Sequence, residues 1–140
     1  RKRVNDITEM MRENNYHMQK MTINFPKDVD DNYYCRDEVF EYLKKIPEIT
    51  LVSGGYGNLE FTKAGVDKGV ALHKLAQILN VAADETMAGG DTENDMAIVK
   101  AAHIGVAMGN ATDELKAQAD YVTDTNENDG VAKAIRHFMG

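Results

Sequence analysis

The sequence predicts an α/β chain in two parts: a small α+β unit over residues 1–62 and a unit of parallel strands with crossover helices over residues 63–140. Two observations carry this. Between Phe61 and Gly69 the pattern changes from strands in two-residue alternation around a glycine-rich turn to helix and strand in alternation, the sign of parallel strands. The 140 residues are 43% hydrophobic and 28% charged, enough apolar content for a core and too much for disorder throughout.

In the first unit, Ile7 to Arg12 reads as a helix closed by Asn14-Asn15. Met21, Ile23 and Phe25 alternate as a half-buried strand that Pro26 stops. Asp30 to Lys45 is expected to be helical, with Tyr33, Tyr34, Val39, Phe40 and Leu43 on one face and Pro47 beyond its end. Thr50–Ser53 and Asn58–Phe61 flank Gly54-Gly55-Tyr56-Gly57, a hairpin turn. The order is β-α-β-β.

In the second unit, Asp67 caps a helix in which Ala71, Leu75, Ile78 and Leu79 share a face expected to be buried. Thr86 to Ala88 is a strand, Asp95 to Ala102 a helix, and His103 to Met108 the next strand. Asn110 or Thr112 caps a helix with Asp113 and Glu114 in its first turn. Tyr121 to Thr123 is a last strand, and a helix from Gly130 to Phe138 follows.

Composition narrows function. A net charge of −7 argues against a nucleic-acid partner, and no apolar run approaches the roughly 20 residues of a membrane span. The basic N-terminus, Arg1-Lys2-Arg3, lacks the apolar stretch of a signal peptide. Cys35 stands alone, as a reducing cytoplasm permits, and reads as a small half-buried side chain. His17, His73, His103 and His137 have no ligand spacing, so zinc is not indicated. The methionines, Met18 and Met21 among them, read as core fillers.

Three segments carry chemistry. Met87 to Asp95 is a strand ending in Gly89-Gly90, followed by three oxygen donors, Asp91, Asn94 and Asp95, before a helix. Ligands of open α/β sheets bind beyond the carboxyl ends of strands, and hard oxygen donors suit Mg²⁺. The competing reading is that Asp91 and Asn94 only cap the helix and the glycines only make the turn. Asp67-Lys68-Gly69 places a lysine and free backbone N–H groups at a helix start, an anion site; alternatively Lys68 is merely solvated beside a capping aspartate. Gly105 to Ala111 is a buried strand whose following turn lines the same region or only caps a helix, and Asp124 lies in another polar strand-to-helix loop, from which it either reaches the site or serves turn chemistry, which suffices to explain the segment.

A lysine at a helix start, a strand ending Gly90-Asp91-Thr92-Glu93-Asn94-Asp95, a Gly105-Val106-Ala107-Met108 strand and a Tyr121-Val122-Thr123 strand before Asp129-Gly130-Val131-Ala132 resemble, in that order, the C-terminal half of the Cof-like branch of the haloacid dehalogenase superfamily of phosphatases. The resemblance implies the C-terminal part of a Rossmann-like core, preceded by the closing β-α-β-β part of an α+β cap domain. It implies Lys68 as the catalytic and phosphate-binding lysine, Asp91 and Asp95 as the Mg²⁺-supporting acids, Asn94 as a phosphate contact, and a small phosphorylated metabolite such as a sugar phosphate as substrate. The implied chemistry is attack by an aspartate on phosphorus to give an aspartyl-phosphate that water hydrolyses.

The chain departs from that pattern at one place. The family's Asp-x-Asp nucleophile motif on a first core strand is missing; Asp28-Val29-Asp30 follows Pro26 in the cap-like unit. The expectation is therefore a cytoplasmic phosphatase fragment, inactive alone, that self-associates through the sheet edge the nucleophile strand would cover. The competing reading is a non-catalytic Mg²⁺/phosphate-binding module. A receiver-like domain carries its lysine after the acidic motif, the reverse of the order here.

Overall fold

The computed structural model of the chain describes residues 5–53 and 57–140. Helix α1 (Ile7–Glu13) starts where the Asp6 carboxylate accepts from the N–H groups of Thr8 and Glu9 at 2.8 and 3.0 Å. It ends at Asn14. Strands β1 (Lys20–Asn24), β2 (Ile49–Ser53) and β3 (Asn58–Lys63) form an antiparallel sheet in the order β1-β3-β2. The register pairs Met21 with Phe61 and Phe61 with Leu51, and one position along it pairs Lys20 with Thr62 and Thr62 with Thr50. Because side chains alternate, one sheet face is apolar and the other polar. The hairpin reading at Gly54, Gly55 and Tyr56, and the basic start Arg1 to Val4, lie outside the described residues.

Helix α2 spans only Arg36–Leu43, six residues shorter at its start than the apolar spacing suggests. The Asp28 carboxylate accepts from the N–H groups of Asp30 and Asn32, both at 2.9 Å, offering that backbone a turn instead of a helix. Asp31 and Cys35 then take left-handed conformations. Tyr34 is consequently exposed, while Val39, Phe40 and Leu43 remain half-buried and Cys35 is half-buried as expected. Met18, expected as a core filler, is exposed; Met21 is half-buried.

The second unit is a parallel sheet, β4 (Met87–Gly90), β5 (Ile104–Ala107) and β6 (Tyr121–Val122), in that order across the sheet. Around it lie α3 (Lys68–Leu79), α4 (Met96–Ala101), α5 (Asp113–Lys116) and α6 (Gly130–Met139). The core is Val99, Ala107, Met108, Ala111 and Leu115, all nearly inaccessible. Short hydrogen bonds seal the loops: Thr86 Oγ1 donates to Ala83 O at 2.7 Å, and Thr123 Oγ1 to Gly130 O at 2.7 Å. Among the described residues β4 pairs only with β5, so its other edge is open.

Helix α3 corrects one expectation. Leu75, Ile78 and Leu79 are 53%, 68% and 61% exposed, whereas Gly69 and Ala76 are buried. The helix meets α4 through its small residues. At Gly69 a Cβ would stand 2.5 Å from the Ala97 carbonyl oxygen, an approach that only glycine allows. Leu75, Ile78 and Leu79 are left on the outer side, while Leu72 is half-buried. Among the described residues no helix is long and apolar enough to cross a membrane.

Candidate active site

Between the polar face of the first sheet and the loop after β4 lies a cleft of about 860 Å³. One wall, from the first sheet, includes Lys20, Thr50, Val52, Glu60 and Thr62. The opposite wall includes Lys68, Asn94, Thr112 and the acids Glu93 and Glu114.

Lys68 is the first residue of α3. The Asp67 carboxylate accepts from Val70 N at 2.8 Å, leaving the N–H groups of Lys68 and Gly69 without an acceptor inside the helix. The close contact of Gly69 with α4 draws this helix start against the β4–α4 loop. Lys68 Nζ thereby donates to Asn94 Oδ1 at 3.3 Å and forms an ion pair with Asp95 Oδ1.

The loop is built to present these groups. Gly90 is buried, and a Cβ there would stand 2.3 Å from the Asp95 Cβ; the glycine lets Asp95 fold back under the strand end. Asp95 Oδ2 accepts from Asp91 N at 3.1 Å. Both Asp95 oxygens are thus engaged, one by a cation and one by the loop backbone. Asn94 Oδ1 accepts from Thr92 Oγ1 at 2.8 Å as well as from Lys68, which leaves the Asn94 NH₂ group free to donate. Asp91 is exposed, and its Oδ2 has one long contact, 3.5 Å from Asn110 Nδ2.

The four residues singled out in the sequence, Lys68, Asp91, Asn94 and Asp95, are therefore brought together. Asn110 is an addition. Thr112 is the α5 cap, accepting from Leu115 N at 3.4 Å, and Asn110 instead bridges Asp91 to Asn126 N, which donates to its Oδ1 at 2.9 Å. Nothing local signals that role, since the bond joins positions 19 apart. Lys20 is a second addition. Two-residue alternation with Met21 and Ile23 was the signal that put it on the polar face. Asp124 is held elsewhere: its Oδ2 accepts from Lys133 Nζ at 2.6 Å and its Oδ1 from Thr125 N at 3.1 Å. Those two donors, Lys133 first, hold its carboxyl below the usual carboxylate range.

Among the described residues no three acidic, histidine or cysteine side chains converge as a metal cage. The donor set is nonetheless compatible with Mg²⁺, which takes one or two carboxylates and completes its octahedron with water and substrate phosphate. Asp91, with its carboxylate almost uncommitted, is the donor the geometry offers; Asp95, with a hydrogen bond on each oxygen, orients the loop that carries it.

A family model for haloacid dehalogenase-like hydrolases matches residues 1–135. The chain belongs to that family. It is 44% identical over 117 residues to a 5-amino-6-(5-phospho-D-ribitylamino)uracil phosphatase of Bacillus subtilis, a match covering 84% of this chain and 47% of that protein. Its fold is similar to a solved haloacid dehalogenase-like hydrolase of B. subtilis, at TM-score 0.82 and 33% identity over 97% of this chain and 46% of the other. It is also similar to a subclass IIB sugar phosphatase of the superfamily, at TM-score 0.74 and 31% identity over 89% of this chain and 44% of the other. The chain spans about half the length of these relatives.

Proposed function

We propose that this chain forms the cap-closing and phosphate-holding half of a cytoplasmic, Mg²⁺-dependent phosphomonoester hydrolase acting on small phosphorylated metabolites such as sugar phosphates. One observation carries the reading: Lys68 and Asn94, which line the cleft, meet with Nζ to Oδ1 at 3.3 Å, and the Asp95 carboxylate behind them ties Lys68 to the backbone of the exposed Asp91. An ammonium has three protons, so Lys68 keeps donor capacity for a phosphoryl oxygen, and the free Asn94 NH₂ group supplies a second donor. Bound at Asp91, Mg²⁺ would neutralise charge on the phosphoryl oxygens. Asp95 fixes both neighbours, holding the Lys68 ammonium and the Asp91 backbone together.

The nucleophile in this reading is an aspartate of the protein outside these 140 residues. Its carboxylate oxygen bonds to phosphorus as the phosphorus–oxygen bond to the alcohol breaks, and the alcohol leaves carrying a proton from a general acid. Water then splits the aspartyl-phosphate into aspartate and inorganic phosphate. The open β4 edge is the proposed place of the nucleophile strand, and in the chain taken alone that edge is proposed to pair with a second copy.

The test is phosphate release by the full-length protein with Mg²⁺, with a chelator, and with Lys68→Met or Asp91→Asn, beside the 140-residue chain alone. Expected are Mg²⁺-dependent turnover, losses of about 100-fold or more in each variant, and none from the chain alone. Phosphate binding without turnover by the full-length protein would replace this reading with a non-catalytic Mg²⁺/phosphate-binding module.

A further inference from the structure

We infer that Glu60, held by Lys20 on the cap wall of the cleft, is a specificity-determining residue: it accepts hydrogen bonds from a neutral, polyhydroxylated leaving group, and the wall it belongs to disfavours a leaving group with its own negative charge. The inference rests on the phosphatase reading and extends it to the far end of the substrate.

The register fixes the geometry. Lys20, Thr62 and Thr50 form one cross-strand row, and Glu60 and Val52 stand in the next, so all five project from the sheet face that lines the cleft. Glu60 is only 22% exposed in its side chain. Its Oε2 lies 2.5 Å from Lys20 Nζ, which orients the carboxylate, while Oε1 has only a 3.5 Å contact with Thr22 Oγ1. A carboxylate accepts at several lone-pair positions, so Oε1 retains acceptor capacity. A substrate hydroxyl donating to it makes a charge-assisted hydrogen bond, stronger than a neutral one. Next to it Thr50 Oγ1 accepts from Gly65 N at 3.1 Å, which leaves the Thr50 hydroxyl proton to donate. The cap wall therefore offers an acceptor and a donor side by side, the pattern hydroxyl groups satisfy.

Charge supplies the exclusion. Opposite Glu60 the cleft carries Glu93 and Glu114, neither with a cationic partner among the described residues. On the cap wall the one ammonium among the described residues, Lys20, is already paired with Glu60, and Lys68 is held by Asp95 beside the transferred phosphate. A second anionic group in the cleft meets the carboxylates of Glu60, Glu93 and Glu114, and among the described lining residues each of the two ammoniums is already paired with a carboxylate. A cleft of about 860 Å³ has room for a leaving group well beyond the phosphate itself.

The experiment measures kcat/KM of the full-length protein for glucitol 6-phosphate, 2-phosphoglycolate and p-nitrophenyl phosphate, in the wild type, Glu60→Ala and Glu60→Gln. The wild type is expected to favour glucitol 6-phosphate over 2-phosphoglycolate about tenfold or more. Both variants are expected to lower the glucitol 6-phosphate to p-nitrophenyl phosphate ratio, by about tenfold in the alanine variant and less in the glutamine variant, mainly through KM. Equal effects on all three substrates, or a wild-type preference for 2-phosphoglycolate, would overturn the inference. Glu60→Gln keeps the side-chain shape and decides the matter if Glu60→Ala does not fold. No hydrolysis of any of the three by the wild type would remove the phosphatase reading itself.

Discussion

Lys68 and Asp95, 27 positions apart, form an ion pair in which the carboxylate is 15% exposed and the ammonium 51% exposed. The aspartate is thus the anchored partner and the lysine the one that still faces the cleft. Asp95→Asn keeps the shape but removes the charge that holds Lys68. It is expected to cost about 1–2 kcal/mol of stability and to weaken phosphate binding at Lys68. Chemical denaturation and phosphate titration check the two effects; a variant with wild-type phosphate affinity would show that the pair does not position the lysine.

Gly69→Ala and Gly90→Ala test the close approaches. A Cβ at Gly69 meets the Ala97 carbonyl oxygen at 2.5 Å, and one at Gly90 meets the Asp95 Cβ at 2.3 Å. Each is expected to destabilise by about 1–3 kcal/mol. Thermal melting reads the loss, and phosphate affinity should fall with it, because both glycines set where Lys68 and Asp95 meet.

Asn110→Ala severs the link from Asp91 to Asn126. A fall of about threefold to tenfold in Mg²⁺ affinity is expected, in the range of lost positioning groups around a metal ligand. Titration of Mg²⁺ followed by NMR shifts of the 91–95 loop would show it. Unaltered affinity would confine Asn110 to holding the 126 turn.

The Asp124–Lys133 pair sets a pH signature. Asp124 has its carboxyl lowered first by the Lys133 hydrogen bond. A group depressed in the folded state contributes stability that is full above its unfolded value, about 3.9, and disappears as the pH falls through its folded value. Lys133→Met should therefore melt below the wild type at neutral pH, with the gap closing on acidification below about pH 3.9. A gap that stays constant down to about pH 2 would contradict this assignment.

Taken alone, the 140-residue chain is expected to sediment as dimers or larger species. The open β4 edge offers unpaired backbone groups, and Leu75, Ile78 and Leu79 add exposed apolar surface on α3. Sedimentation velocity over a concentration series measures this, and a monodisperse monomer throughout would refute it.

Much of this architecture was legible in the residues. The change of pattern near Phe61 to Gly69 matches the passage from an antiparallel to a parallel sheet, and Lys68, Asp91, Asn94 and Asp95, singled out by residue type and order, are neighbours in the structure. What misled was local periodicity unopposed by its competitors. Asp28 captures the backbone N–H groups that would otherwise extend α2, and spacing alone does not register that competition. The apolar residues of α3 share a face, yet it is the side with Gly69 that lies against α4, where the absence of a side chain lets the two helices come close. Asn110 was invisible for a different reason: its partners are distant in sequence, and an asparagine after a strand serves a cap equally well.

Gly69 and Gly90 contact no ligand in any part of the mechanism, yet the arrangement of Lys68, Asn94 and Asp95 depends on the absence of a methyl group at each. In a mutational scan both positions would score like catalytic residues, intolerant of every substitution. For the lysine and the acids a chemically related group exists that keeps the shape while losing the function, whereas the two glycines have no related group at all. Drift in this part of the sequence is thus expected to be as slow at two positions with no side chain as at the lysine and the acids.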